Sequence, residues 1–265
     1  MNRFADRAVI VTGGATGIGA ASARGFAREG ADVTILDVNV ADGEATTREI
    51  AEAAGSARFR AVDVTDEAAV KGAVAEAVAD FGRLDVMHAN AGIEWTKTIA
   101  ETTLEEWWRV IDVNLTGIYL ACRCAMIQMS ADGGGAIVIT SSPHALVTSP
   151  DAGAYAASKG GVSALMRALA LEGATKNVRV NALLPGAIDT PMVRREAAVA
   201  SDPEEQMRRF GLMHPMARLG RPEEVAEGAL FLASDAASFV TGASLPVDGG
   251  LLAAAPGGPP LAYTE

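Results

Sequence analysis

The chain has 265 residues, 49% of them hydrophobic and 21% charged, which is ample apolar material for one folded core and carries no compositional sign of disorder. With 22 basic against 33 acidic residues its formal net charge is −11, which repels phosphate backbones and anionic membranes and argues against a nucleic-acid partner. No apolar run reads as a membrane span, the start Met1-Asn2-Arg3-Phe4-Ala5-Asp6 has no signal-peptide core, and the two cysteines fit a reducing cytoplasm.

The apolar run Ala8 to Val11 meets a glycine-rich turn, and Ala20 to Glu29 then shows helical spacing that stops at Gly30. The alternation repeats, with strands expected at Ala31 to Leu36, Arg58 to Val62 and Leu84 to His88, and helices at Asp42 to Ala54 and Glu67 to Phe81. One long helix is expected from Leu104 to Met129. Cys122 and Cys124 lie two apart in it, so their side chains diverge and suggest neither a disulfide nor a metal site. Further strands follow at Ala136 to Thr140, Val178 to Leu183 and Ser244 to Val247, with helices from Ala154 to Thr175 and from Pro222 onward. The sum is an α/β, doubly wound, parallel seven-stranded sheet, Rossmann-like, with helices on both faces and a single domain over 1–265. The periodicity lapses between Thr190 and Arg221, which is expected to be a substrate lid over 190–221 or else a plain solvated connection.

Thr12-Gly13-Gly14-Ala15-Thr16-Gly17-Ile18-Gly19 sits where the first strand turns into the first helix. Glycines there let the backbone approach a pyrophosphate, and the helix N-terminus offers free N–H groups and a partial positive charge. Asp37 ends the second strand 18 positions after Gly19, where a carboxylate can bind the adenosine ribose. It would repel the 2′-phosphate of NADP, and Val38 supplies no cation, so NAD is the expected cofactor.

Tyr155 and Lys159 are spaced i and i+4 on a helix, so both reach one small region, where an ammonium helps a phenol to ionise. The glycine loop, Asp63-Val64, Asn90-Ala91-Gly92, Asn114, Ser142, Tyr155-Ala156-Ala157-Ser158-Lys159, Pro185-Gly186 and Asp248-Gly249-Gly250 together resemble the short-chain dehydrogenase/reductase family. The resemblance spans about residues 5 to 250. It implies an NAD-dependent oxidoreductase acting on the CH–OH group, with Tyr155 as general acid/base. It implies that Ser142 bonds the substrate oxygen and that Asn114 kinks the long helix and holds a water leading from Lys159 to solvent. Ser141 is the neighbour to be ruled out. For the cofactor it implies Asp63 and Val64 beside the adenine, Asn90, Ala91 and Gly92 beneath it, and Pro185, Gly186, Ile188 and Thr190 around the nicotinamide. Gly13, Thr16, Gly17, Ile18 and Gly19 would face the diphosphate, while Tyr155 and Lys159 touch the nicotinamide ribose.

Glu94 and His144 resemble residues of the glucose 1-dehydrogenase branch that meet substrate hydroxyls, so a sugar or polyol is the leading substrate expectation. The alternatives are a ketone or acyl-thioester reductase, a hydroxysteroid or cyclic alcohol dehydrogenase, and a non-catalytic nucleotide-sensing protein. His88, His214 and the Trp107-Trp108 pair are assigned to packing or interface, and no metal spacing is present. Family members of this size form dimers or tetramers, and the tail 251–265 is expected to order at such a subunit interface.

Overall fold

A computed structural model describes residues 2–254. Seven parallel strands, β1 (Ala8–Thr12), β2 (Asp32–Asp37), β3 (Ser56–Ala61), β4 (Val86–Ala89), β5 (Gly135–Thr140), β6 (Val178–Pro185) and β7 (Ser244–Val247), stand in the order β3-β2-β1-β4-β5-β6-β7. The chain order reverses between β1 and β4, and the carboxyl ends of those strands are where an open parallel sheet takes ligands.

The helices are α1 (Gly17–Arg28), α2 (Val40–Glu52), α3 (Glu67–Phe81), α4 (Leu104–Ile111), α5 (Gly117–Asp132), α6 (Gly153–Ala174), α7 (Pro191–Ala197), α8 (Pro203–Leu212) and α9 (Pro222–Ala233). Strand alternation divides the core into two layers. Ile10, Ile137 and Ile139 pack with Val74 of α3, Ile118 of α5 and Met166 of α6. Val9, Val11 and Val138 face the other way, toward Phe26 of α1, Ile50 of α2 and Leu230 of α9. Phe4 closes that second layer edge-on against Phe26, 4.9 Å between centroids. Both sheet faces are thus covered, as an all-parallel sheet requires.

Several boundaries move from their sequence expectation. β2 ends at Asp37, as the cofactor argument requires, whereas β3 runs Ser56–Ala61 because Ala61 stands opposite Asp37, and β4 starts only at Val86, opposite Val9. The long helix is interrupted where the family resemblance places a kink, at Asn114: Asp112–Thr116 is a π turn between α4 and α5. The segment Leu104–Asp132 is also long and apolar enough by composition to cross a membrane, with a mean hydropathy of 1.5 in its most apolar window, contrary to expectation. Slightly over half of that window, 56%, is buried inside the protein, where it packs on the sheet. The stretch 190–221 holds two helices, each opened by a proline behind a capping side chain. Thr190 Oγ1 accepts from Val193 N, and Asp202 Oδ1 from Glu205 N.

Cys122 and Cys124 are buried free thiols. His214 packs as expected, its Nε2 accepting from Ala187 N at 3.0 Å. Trp108 is 52% exposed, which leaves it a surface side chain. Of the tail, Leu251–Ala253 forms a 3₁₀ turn, and residues 255–265 lie outside the described residues.

Candidate active site

One cavity of about 1150 Å³ opens along the carboxyl ends of the strands, from Asp37 and Asp63 at one end to Tyr155 and His144 at the other. It is lined by Gly13, Thr16, Gly17 and Ile18, by Val64, by Asn90, Ala91 and Gly92, and by Pro185, Gly186, Ile188 and Thr190. Gly13 (φ +63°) and Gly17 (φ +56°) adopt left-handed conformations, and a Cβ on Gly13 would lie 2.7 Å from Ala91 Cα. The bare turn and the N-terminus of α1 behind it are a cradle of the size and chemistry that a dinucleotide diphosphate needs.

Two of the sequence-derived positions do not line the cavity. Gly19 lies beneath the turn, where a Cβ would come 2.1 Å from Gly13 O, so its part is to let α1 close on the loop. Asn114 is fully buried in the π turn. Its Oδ1 accepts from Ile93 N (2.8 Å), and its Nδ2 donates to Ile93 O (2.9 Å) and Ser158 Oγ (3.3 Å). It stands behind Gly92, whose virtual Cβ would meet both Asn114 Oδ1 (3.3 Å) and Lys159 Nζ (3.5 Å).

At the other end, Ser142 and the first two turns of α6 meet. Lys159 Nζ donates to Thr140 O at 3.0 Å and lies 5.6 Å from the Tyr155 ring centroid. The Ser142 hydroxyl accepts from His144 N at 3.2 Å and faces the Tyr155 phenol, whose pKa it pulls down. Ser141 is committed elsewhere, to Ser163 Oγ (2.9 Å) and Lys159 O (3.2 Å), which leaves Ser142 as the serine facing the phenol. His144 stacks edge-on against Tyr155 at 5.5 Å, its Nδ1 2.8 Å from Thr148 Oγ1.

Burial first, then the negative charge of Glu94, pushes the Tyr155 phenol above its ordinary range, while the Ser142 bond pulls it back. Burial lowers the Lys159 ammonium to about 8, against the pull of Glu94. His144 is lowered by burial, with Asp151 opposing.

Sequence reasoning missed Asp151 and Glu196, which line the same end of the cavity with Glu94. Asp151 is brought in by the bond from Lys97 N to its carbonyl (2.7 Å), and Glu196 by α7. All three carboxylates are half-buried, and neither Glu94 nor Glu196 makes a salt bridge among the described residues. Burial, then the charge of Glu196, raises Glu94 to about 7. Between its unfolded value near 4.5 and about 7, the folded state keeps a proton that the unfolded chain has released. Stability therefore falls as pH rises through that window. Glu94→Gln should raise the melting temperature at about pH 8, by at most about 3 kcal/mol in stability, and leave it unchanged at about pH 4. An equal difference at both pH values would remove Glu94 from the role of a buried acid.

The enoyl-(acyl carrier protein) reductase family model, a branch of the short-chain dehydrogenases, matches residues 13–252. The chain belongs to the short-chain dehydrogenase/reductase family. It is 46% identical to the cis-4-hydroxycyclohexanecarboxylate dehydrogenase of Sinomonas cyclohexanicum, covering 94% of this chain and 98% of that one. Among solved structures it superposes on the Thermoplasma acidophilum aldohexose dehydrogenase with a TM-score of 0.89 at 39% identity, covering 98% of this chain and 99% of that one. The carveol dehydrogenase of Mycobacterium avium, solved in complex with NAD, gives 0.91 at 32% identity over 96% and 100%. As a short-chain dehydrogenase/reductase the chain is an oxidoreductase of the CH–OH group that uses a nicotinamide cofactor.

Proposed function

We propose that this enzyme oxidises an uncharged, ring-shaped secondary alcohol that carries a further hydroxyl, a cyclic diol or sugar, with NAD. The observation that carries the reading is Tyr155, held between Ser142 and Lys159 at one end of a cavity whose other end is Asp37. The catalytic set is Asn114, Ser142, Tyr155 and Lys159. Ser142 holds the substrate oxygen, Tyr155 takes the hydroxyl proton, and Lys159 keeps a positive charge beside the phenol.

In the protein alone Tyr155 holds its proton, since burial and Glu94 raise its affinity for it. A bound oxidised nicotinamide would supply the hydride acceptor and, until the hydride arrives, a positive ring charge beside the phenol. In the reverse direction Tyr155 returns the proton to a carbonyl oxygen.

NAD over NADP rests on the adenosine end. Asp37 is half-buried there, accepting from Ala15 N (3.0 Å) and Asn39 N (2.9 Å), beside Val38, Asn39, Asp42 and Asp63. Among the described residues, a 2′-phosphate would meet carboxylates there and no cation.

The choice of an uncharged substrate rests on Glu94, Asp151 and Glu196. The arginines that also line the cavity, Arg109 and Arg195, are exposed, so solvent screens them, whereas the carboxylates lie deeper. Glu94 and His144 are placed to accept and share hydrogen bonds from ring hydroxyls. The relative named for a hydroxycyclohexanecarboxylate takes an acid, and on this reading the present site departs from it. Helices α7 and α8, which supply Glu196 and Phe210, are the substrate lid.

NADH formation over a panel of cyclohexanols, cyclic diols, aldoses, hydroxysteroids and their carboxylated analogues tests this directly. NAD should exceed NADP, and each uncharged alcohol its carboxylated analogue, by at least about tenfold in kcat/KM. A preference for the acids would sink the substrate reading, and a preference for NADP the cofactor reading.

For the assembly, a homodimer or tetramer, the supporting feature is the turn around Gly242, packed on Ala170 of α6. Phe239 at 104% and Leu171 at 80% are fully exposed apolar side chains flanking it. The cytoplasm is the proposed location.

A further inference from the structure

A buried histidine in the centre of the sheet is not used by the chemistry at Tyr155. His88 of β4 is completely inaccessible and does not line the cavity. The core face of a strand covered on both sides ordinarily carries an aliphatic residue.

Its connections run in one direction. Asn90 Nδ2 lies 3.1 Å from Thr12 O and 3.1 Å from Gly13 O, so the amide nitrogen faces two carbonyls and Oδ1 must be an acceptor. Thr140 Oγ1, 3.0 Å from that Oδ1, must give it its only proton. What Thr140 presents to His88 Nε2, also 3.0 Å away, is then a lone pair, and Nε2 must carry the hydrogen. That fixes the tautomer. Nδ1 is left with a lone pair and no partner among the described residues, a cost of the arrangement. Burial lowers the imidazole to about 3, so the ring stays neutral and the directions hold at every working pH.

The far end of the relay is the cofactor turn. Thr12 Oγ1 accepts from both Asn90 N (2.9 Å) and Ala91 N (3.1 Å), so Asn90 and Thr12 clamp each other, and Gly13 is held by its carbonyl.

We propose that His88 is a positioning residue: its Nε2–H, acting through Thr140 and Asn90, sets the Thr12-Gly13 turn in the shape that receives the cofactor diphosphate. The inference rests on the nicotinamide-dependent reading of the site but not on the identity of the alcohol. A histidine retained only to fill space would be replaceable by leucine without loss, because leucine leaves no orphan nitrogen behind. A histidine that orients the relay would not.

The test is NADH binding by fluorescence, with no alcohol present, alongside KM for NAD and kcat at saturating NAD with the best alcohol. His88→Leu should weaken NADH binding and raise KM for NAD about tenfold, with kcat within about threefold and the melting temperature no lower than wild type. His88→Gln, whose amide can still donate to Thr140, should restore binding to within about twofold of wild type. Thr140→Val cuts the same relay from its middle. It should match His88→Leu, and the double variant should bind no worse than either single one. Native affinity in His88→Leu overturns the proposal, as does failure of His88→Gln to recover it. If His88→Leu does not fold, Thr140→Val with native affinity overturns it equally. A wild-type protein that binds NADPH and not NADH would defeat the NAD reading while leaving this series measurable with NADPH.

Discussion

Tyr155→Phe should lower kcat by at least about a hundredfold while the dissociation constant for NADH stays within about twofold of wild type. The substitution removes one oxygen. The ring keeps its edge-on contact with His144 and its place under Lys159 Nζ, so packing around the site is preserved. What is lost is the hydroxyl that faces Ser142 and so is placed to take a proton from an oxygen bound there, whereas Lys159 Nζ points away into the strand, at Thr140 O. His144 is the one other titratable ring nearby, and its Nδ1 is engaged by Thr148. Isotopically resolved kinetics should show the remaining rate to be limited by the proton step. Turnover within about tenfold of wild type would mean that another group does the acid/base work.

The second large effect concerns a residue that does not line the cavity. Gly19→Ala would place a Cβ 2.1 Å from Gly13 O and 2.7 Å from Asn90 Nδ2, the first of these being backbone that cannot rotate away. Either α1 retreats or the turn opens. Overpacking of this kind costs about 1–3 kcal/mol, which read as cofactor affinity is about a ten- to hundredfold loss. Gly25→Ala, in the same helix, is the control. Its Cβ would meet only the flexible end of Leu230 at 3.1 Å, so NADH affinity should stay near wild type whatever happens to stability. Titration calorimetry on both variants gives the comparison, and equal losses would mean that α1 is sensitive to any added methyl group.

The sheet was legible in the sequence because each strand is a short apolar run between longer periodic segments. Burial on both faces leaves little else that Val9-Ile10-Val11 or Ile137-Val138-Ile139 could be. Strand ends were less legible, since register is set by the neighbour: β3 stops at Ala61, opposite Asp37, and not at Val62. The helices α7 and α8 were missed as helices although Thr190-Pro191 and Asp202-Pro203 are ordinary start signals. They are short and rich in charge, so the few apolar residues they carry, such as Met207 and Phe210, are too sparse to mark a helix on their own. The π turn at Asp112–Thr116 was legible only through the family resemblance, which places a kink at Asn114. Family resemblance gave the position of Asn114 but not the bonds that occupy its side chain.

At the site, the pair Tyr155 and Lys159 followed from helical spacing and the glycine turn from its composition. The choice between Ser141 and Ser142 needed coordinates, because adjacent hydroxyls differ only in where the strand end aims them. Asp151 and Glu196 could not be found from spacing, since a loop tied to Lys97 and a lid helix bring them to Glu94 across the fold.

The proton that Tyr155 retains in the protein alone has a consequence for timing. An alcohol arriving first finds a hydrogen-bond donor and not a base, and so it can dock at Ser142 without being deprotonated. Commitment waits for the second partner. On the proposed reading, deprotonation of the alcohol would therefore depend on both partners, because the positive charge of an oxidised nicotinamide is what would favour the phenolate.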